Sequence, residues 1–298
     1  MEPIKKILFL SSHNAAATRQ AVFYANAMQA ELTSLAVVPM LGDEKQRHDI
    51  ISKMQENCRL QAEKLNANEL NIHYDVLETD QAPAIEIIRQ VLRDGYQLVI
   101  KAADVDEAHT AAGFLSIDMQ LLRKCPCPLL LCREKAALPR RIAVAIDPED
   151  KEGAGKQLTD DLLELTGTIA GLHQIKPRVF TCWFSKVEGR IGNPFVQLNT
   201  KAAQEGAAHD KQEQFKTLQA LVEGKRLSAD LHHQKGSPNW LIPHMAKQQE
   251  IDLLIMGTVA RTGIPGFIIG NTAETILSRI ECSVLAIKPR GFVSPVTL

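Results

Sequence analysis

Short apolar runs alternate with amphipathic stretches along the whole chain. Runs at 7–10, 33–38, 72–77, 98–100 and 129–131 are followed by a second series at 142–146, 179–184, 228–231, 253–256 and 284–287. Brief apolar runs bounded by polar sequence predict strands covered on both faces, as in a parallel sheet. Between the runs, Leu158, Leu162, Leu165, Ile169 and Leu172 recur at helical spacing, and 201–222, 239–249 and 272–280 have helical length. Ile50, Met54, Cys58, Gln61 and Leu65 mark another helical face, which predicts packing on its own sheet rather than on a partner. Strands alternating with helices predict an α/β fold.

The two series are copies. Pro83 aligns with Pro238 and Leu98 with Leu253, a shift of 155 in both cases, and the register continues without a gap through Cys127 and Cys282. The starts match as well: Lys6-Ile7-Leu8-Phe9-Leu10-Ser11-Ser12 corresponds to Arg141-Ile142-Ala143-Val144-Ala145-Ile146-Asp147. The expected architecture is therefore two tandem doubly wound domains, 1–133 and 141–298, each with five parallel strands. The charged segment 134–140, with Pro139, is the linker.

Composition narrows the function. A length of 298 residues suits two domains, and 45% hydrophobic with 23% charged residues excludes wholesale disorder. With 34 basic against 35 acidic side chains and 5% aromatics, no nucleic-acid platform is expected. Six cysteines are too few for a disulfide framework and read as reduced thiols. No apolar stretch approaches the ~20 residues that span a bilayer, and the run at 7–10 is too short for a signal peptide. The expectation is a cytoplasmic protein without a membrane span.

In a doubly wound sheet, ligands bind beyond the carboxyl ends of the strands where strand order reverses. In the second copy, strand one ends at Asp147 and strand four at Gly257. Four glycines (Gly257, Gly263, Gly266 and Gly270) lie between that strand and the next helix. Glycine lets amides approach an anion, Asn271 or Thr272 is placed to cap the helix, and Arg261 adds a cation. Asp147 is placed to accept from a ribose or base. The same residues also suit an ordinary glycine-rich crossover.

The segment 253–289 resembles the nucleotide-binding signature of the universal stress protein family, which is Gly, two residues, Gly, nine residues, Gly and a small polar residue. Gly257, Gly270 and Asn271 fill the first, third and polar positions, and Ala260 stands in the second. Gly-Thr-Val-x-Arg-Thr-Gly, Gly-Asn-Thr-Ala-Glu and Ile-Lys-Pro are most similar to the tandem, E-type members. The resemblance implies an adenine nucleotide alpha hydrolase-like fold and an intramolecular pseudo-dimer joined through the last strands, 129–131 and 284–287, with the tail 290–298 across the junction. It leaves a further homodimer open. It implies ATP or a related adenine nucleotide as cofactor. Contacts would come from Asp147, Met256, Gly257, Val259, Gly270, Asn271 and Thr272, with Arg261 and Gly263 in the same loop. Alanine at position 260 brings strain if that position needs positive φ. The first copy has lost the pattern: Ser12 stands for Asp147, Lys101 to Glu107 replaces the glycine entry, and Leu115 and Ser116 replace Gly270 and Asn271. Asp104, Asp106 and Glu107 would repel a triphosphate, so an acidic surface loop with Lys101 pairing locally is expected there.

Other signals carry less. Cys125-Pro126-Cys127-Pro128 lacks the partners of a zinc site and the spacing of a Cys-x-x-Cys redox motif, so packing is the expected role. His232 and His233 are strand neighbours facing opposite sides, unsuited to one metal. No phosphate-loop Lys motif, Gly-x-Ser-x-Gly or His-Glu-x-x-His occurs. The segment 185–198 reads as a long loop on the ligand side. These observations predict a non-catalytic stress-response protein, without a metal, that carries a degenerate nucleotide site in its second copy. Two alternatives remain: a carrier or sensor of an apolar or nucleotide-sugar-like ligand, favoured by Phe267-Ile268-Ile269 and Ala260, or a ligand-free signalling scaffold.

Overall fold

A computed structural model describes residues 3–12, 14–41, 43–80, 82–104, 114, 116–133, 138–149, 153–185, 201–258 and 269–298. In the first copy the strands are β1 (Lys6–Leu10), β2 (Glu31–Val38), β3 (Ile72–Glu78), β4 (Leu98–Ala102) and β5 (Leu129–Cys132). In the second they are β6 (Ile142–Ala145), β7 (Arg178–Trp183), β8 (Asp230–Lys235), β9 (Leu253–Gly257) and β10 (Ser283–Ile287). The helices are α1 (Ala15–Met28), α2 (Glu44–Lys64), α3 (Pro83–Asp94) and α4 (Ser116–Lys124), then α5 (Gly153–His173), α6 (Lys201–Gly224), α7 (Pro238–Gln248) and α8 (Asn271–Leu277).

All ten strands join one sheet in the order β3-β2-β1-β4-β5-β10-β9-β6-β7-β8. Every neighbouring pair is parallel except β5 and β10, which run antiparallel with Leu130 opposite Leu285. The expected pairing of the last strands is thus the seam of the sheet. In each copy the chain leaves the first strand to one side and returns to the other, so β1/β4 and β6/β9 are the switch points.

Side-chain alternation carries the seam into both faces. Leu129, Leu131, Val284 and Ala286 belong to the core on one face, and Leu130 and Leu285 to the core on the other. Each core draws residues from both copies, so the halves share their hydrophobic interior. Further contacts cross the seam. Arg123 of α4 pairs with Glu274 of α8. On the opposite face, the Tyr24 hydroxyl of α1 meets His173 Nε2 of α5 at 2.9 Å, and Phe23 stacks on that imidazole. The tail runs across as expected. Arg290 makes a bidentate pair with Asp161 at 2.9 and 2.6 Å, Ser294 Oγ donates to the Lys124 carbonyl, and Val296 is buried in the shared core.

Helix α1, strand β8 and helix α8 are among the elements that differ from the sequence expectation. Helix α1 has no apolar stripe of large residues because much of its buried face is small, with Ala17, Ala21 and Ala25 against the sheet. Strand β8 begins at Asp230 rather than 228 and runs on through His232, His233 and Gln234 to Lys235. As an edge strand it pairs only with β7, so a polar sequence suffices. Helix α8 is Asn271–Leu277, shorter than the 272–280 expected. No helix among the described residues is long and apolar enough to cross a membrane.

Candidate functional site

A cleft of about 630 Å³ opens at the carboxyl ends of β6 and β9. Its rim and floor come from successive elements. Asp147 follows β6, Leu158 and Thr159 belong to α5, Trp183 ends β7, Asn239 opens α7, and Met256 and Gly257 end β9. Gly270, Asn271, Thr272 and Ala273 close the far side.

Asp147 is half-buried and fixed by its own turn. One carboxylate oxygen accepts the Glu149 amide at 2.9 Å. Gly257 has a steric reason to lack a side chain: a Cβ there would come within 2.7 Å of Leu158 Cδ2. The glycine therefore allows α5 to approach the end of β9. Thr258 is fully buried, and its carbonyl accepts the Gly270 amide at 3.0 Å. That bond ties together the two ends of the loop between β9 and α8.

The start of α8 corrects one expectation. Neither Asn271 nor Thr272 is the cap; Gly270 is, in extended conformation and without a side-chain cap bond. Asn271 is the first helical residue, and its carbonyl accepts the Thr275 hydroxyl at 2.8 Å. Glycine at the cap leaves the first-turn amides without a side-chain acceptor, which suits them to an incoming anion. A helix of seven residues has a weak dipole, so these amides act singly rather than through the helix field.

Six expected residues, Asp147, Met256, Gly257, Gly270, Asn271 and Thr272, line this one cleft. Val259, Arg261 and Gly263 lie outside the described residues, as do Ala260, Phe267 and Ile268; so do Asp106, Glu107 and Leu115 of the first copy, and most of 134–140 and 185–198. Sequence reading missed Trp183, Phe184 and Asn239. Trp183 stacks beside His233 and is 7% exposed, whereas Phe184 is 46% exposed at the mouth. The signal was present: β7 also points its carboxyl end at the switch point, so its last residues had to face the cleft. Asn239 Oδ1 is buried with no hydrogen-bond partner among the described residues. The described lining holds the carboxylates of Asp147 and Glu149 and no cation.

The corresponding cleft of the first copy measures about 410 Å³ and opens beyond β1 and β4. Lys101 stands where Met256 stands in the second copy, and Asp118 where Ala273 stands. Lys101 Nζ lies 2.9 Å from the Asp118 carboxylate, pairs with Asp104, and donates to the Ala102 carbonyl at 2.9 Å. Asp118 is fully buried on α4 and accepts the Asp104 amide at 2.9 Å. Burial pushes its carboxyl above the usual range, opposed by Lys101. The expected local pairing of Lys101 is present. Its second partner is a buried helix residue, so the pair is part of the interior as well as of the loop.

The discounted motifs have local partners. His232 Nδ1 meets Gln249 Nε2 at 3.1 Å, and His233 Nδ1 meets the Thr181 hydroxyl at 2.7 Å. All six cysteines are free thiols.

Comparison with known proteins agrees with the fold. The family model described as "Universal stress protein family" matches twice, at residues 4–133 and 139–288. A universal stress protein E homologue of Haemophilus influenzae is 32% identical over 225 residues, 74% of this chain and 70% of the relative. Universal stress protein E of Escherichia coli K12 is 26% identical, over 72% of this chain and 68% of its own. Among solved structures, a functionally unknown protein from Pseudomonas aeruginosa PAO1 shares the fold with a TM-score of 0.73 at 24% identity, covering 96% of this chain and 93% of that one. A universal stress protein from Archaeoglobus fulgidus shares it with a TM-score of 0.60 at 15% identity, covering 95% and 98%. Two family matches, one on each copy, and a relative at this identity and coverage lead to one conclusion: the chain belongs to the universal stress protein family and is a tandem member of it.

Proposed function

We propose that this protein is a non-catalytic stress-response protein, with domains at 1–133 and 141–298, whose second copy binds an adenine nucleotide weakly. The observation that carries this reading is the gathering of Asp147, Gly257 and the Gly270–Thr272 backbone around one cleft at a switch point. Asp147 accepts from the ribose or base. The first-turn amides of α8 and the Thr272 hydroxyl take phosphate oxygens. Arg261, Val259 and Gly263, which lie outside the described residues, are the further contacts that this reading assigns to the nucleotide. Free cysteines accord with a reducing compartment such as the cytoplasm.

Titration calorimetry with ATP tests the reading. Wild-type protein binds, Ala260→Gly binds more tightly, and Asp147→Ala binds about tenfold less tightly, as for one lost charged hydrogen bond. Absence of binding by both wild type and Ala260→Gly retires the proposal. A second reading, an apolar ligand, is favoured by Trp183, Phe184, Met256 and Ile276 in the same lining. Mass spectrometry of ligand released from freshly purified protein separates the two, since an acyl chain supports the second and an adenine nucleotide the first.

A further inference from the structure

Cys125-Pro126-Cys127 links α4 to β5, and it lies outside both clefts. The two sulfurs touch at 3.7 Å. The backbone on either side is held: the Cys125 amide donates to the Leu121 carbonyl at 2.8 Å, and the Pro128 carbonyl accepts the Val99 amide at 2.9 Å. Cys125 is 1% exposed, while Cys127 is half-buried. Lys288, just past β10, reaches this place from the other copy. Its ammonium donates to the Leu122 carbonyl and, at 2.7 Å, to the Thr258 hydroxyl.

We propose that Cys125 and Cys127 are a dithiol that peroxides oxidise to a disulfide, with Cys127 meeting the oxidant and Cys125 resolving. Cys127 attacks a peroxide oxygen as its thiol proton leaves, an S–O bond forms, the O–O bond breaks, and the departing alkoxide or hydroxide takes up that proton. Cys127 becomes a sulfenic acid. Cys125 then attacks that sulfur, the S–S bond forms, and the S–O bond breaks. The hydroxide released leaves as water with the Cys125 proton. Two thiols lose two electrons in total, and one peroxide gains them.

The other cysteines lack this arrangement. Cys282 aligns with Cys127, but Ile280 stands where Cys125 does, so the second copy has no partner sulfur. Burial pushes the Cys182 and Cys282 thiols up to about 12, and raises those of Cys58 and Cys132 as well. Cys125 alone is lowered, first by its hydrogen bond with Cys127, then by the Cys127 amide and the Lys288 ammonium. Cys127 is raised in turn, first by its hydrogen bond with Cys125 and then by burial. Burial brings Lys288 itself down to about 8, so it is still mostly charged near pH 7.

The full chain treated with hydrogen peroxide, then alkylated and weighed, gives the test. The account expects two protected thiols, recovered by dithiothreitol, and fragmentation of peptide 125–133 places the bridge between Cys125 and Cys127 rather than Cys132. Cys125→Ser stops at a sulfenic acid on Cys127 that dimedone traps, which reads the chemistry even if the bridged form is unstable. Cys282→Ser oxidises at the wild-type rate. Lys288→Met slows bridge formation several-fold, because the ammonium that favours the charged form of Cys125 is gone. Six thiols still open to alkylation after peroxide, or protection that maps to Cys182 or Cys282, overturns the proposal.

Discussion

The two clefts share a fold position and differ in what fills them. Beyond β6 and β9, Met256 and Ala273 leave an open, mostly apolar cleft of about 630 Å³. Beyond β1 and β4, the same two positions hold Lys101 and Asp118, paired at 2.9 Å, and the cleft is about 410 Å³. The duplicated scaffold keeps the crevice in both copies. Two side chains mark the difference: the first copy holds an ion pair where the second holds Met256 and Ala273.

The largest expected effect comes from breaking the charged pair. Lys101→Met leaves Asp118 buried beside Asp104 and lowers stability by about 3 kcal/mol, the lower end for stranding a buried charge, since the carboxyl escapes partly by taking a proton. Adding Asp118→Ala recovers most of that loss, because both positions then match the second copy. Urea midpoints of the single and double variants measure this, and a double variant no better than the single breaks the comparison. Next in size is the reverse exchange. Met256→Lys with Ala273→Asp puts the pair into the open cleft and lowers nucleotide affinity more than tenfold, about 1.4 kcal/mol or beyond. Unchanged affinity would mean that the pair does not occlude.

Gly257→Ala sharpens the comparison with the residue the first copy carries there, Ala102. The new methyl meets Leu158, whose side-chain end can turn aside into the cleft. A stability loss of about 1 kcal/mol and a few-fold weaker nucleotide binding are expected, read by thermal melting and calorimetry. The smallest effect shows only in acid and concerns the seam. Burial holds His173 at about 4, against an ordinary value of 6.5. The unfolded chain therefore takes up a proton that the folded chain refuses. Stability from this group is complete above pH 6.5 and declines as pH falls toward 4. Solvent screening of the half-exposed ring keeps the change small. His173→Gln flattens this part of the pH profile of the urea midpoint.

Much of the architecture was legible because parallel strands covered on both faces read as plain apolar runs, and the 155-residue shift fixed the copies against each other. Helix α1 escaped because alanines cover much of its buried face, and β8 began late because an edge strand needs no apolar run. In the site, Asp147, Gly257 and Gly270 were legible from strand ends and glycine spacing. Trp183, at the carboxyl end of β7, was legible by the same strand-end rule but was not singled out, and Asn239, at the start of α7, carries no glycine or strand-end signal. Asp118 was invisible as a partner of Lys101 because the two lie far apart in sequence, at the end of β4 and on α4, and only the β4–α4 crossover brings them together.

The central claim is that only the second copy is free to take a ligand. Equilibrium dialysis of ATP against wild type and the two paired exchanges measures it. The account predicts one nucleotide per chain in wild type, none in Met256→Lys/Ala273→Asp, and one in Lys101→Met/Asp118→Ala. Two nucleotides per wild-type chain, or binding that survives the second-copy exchange, would contradict it.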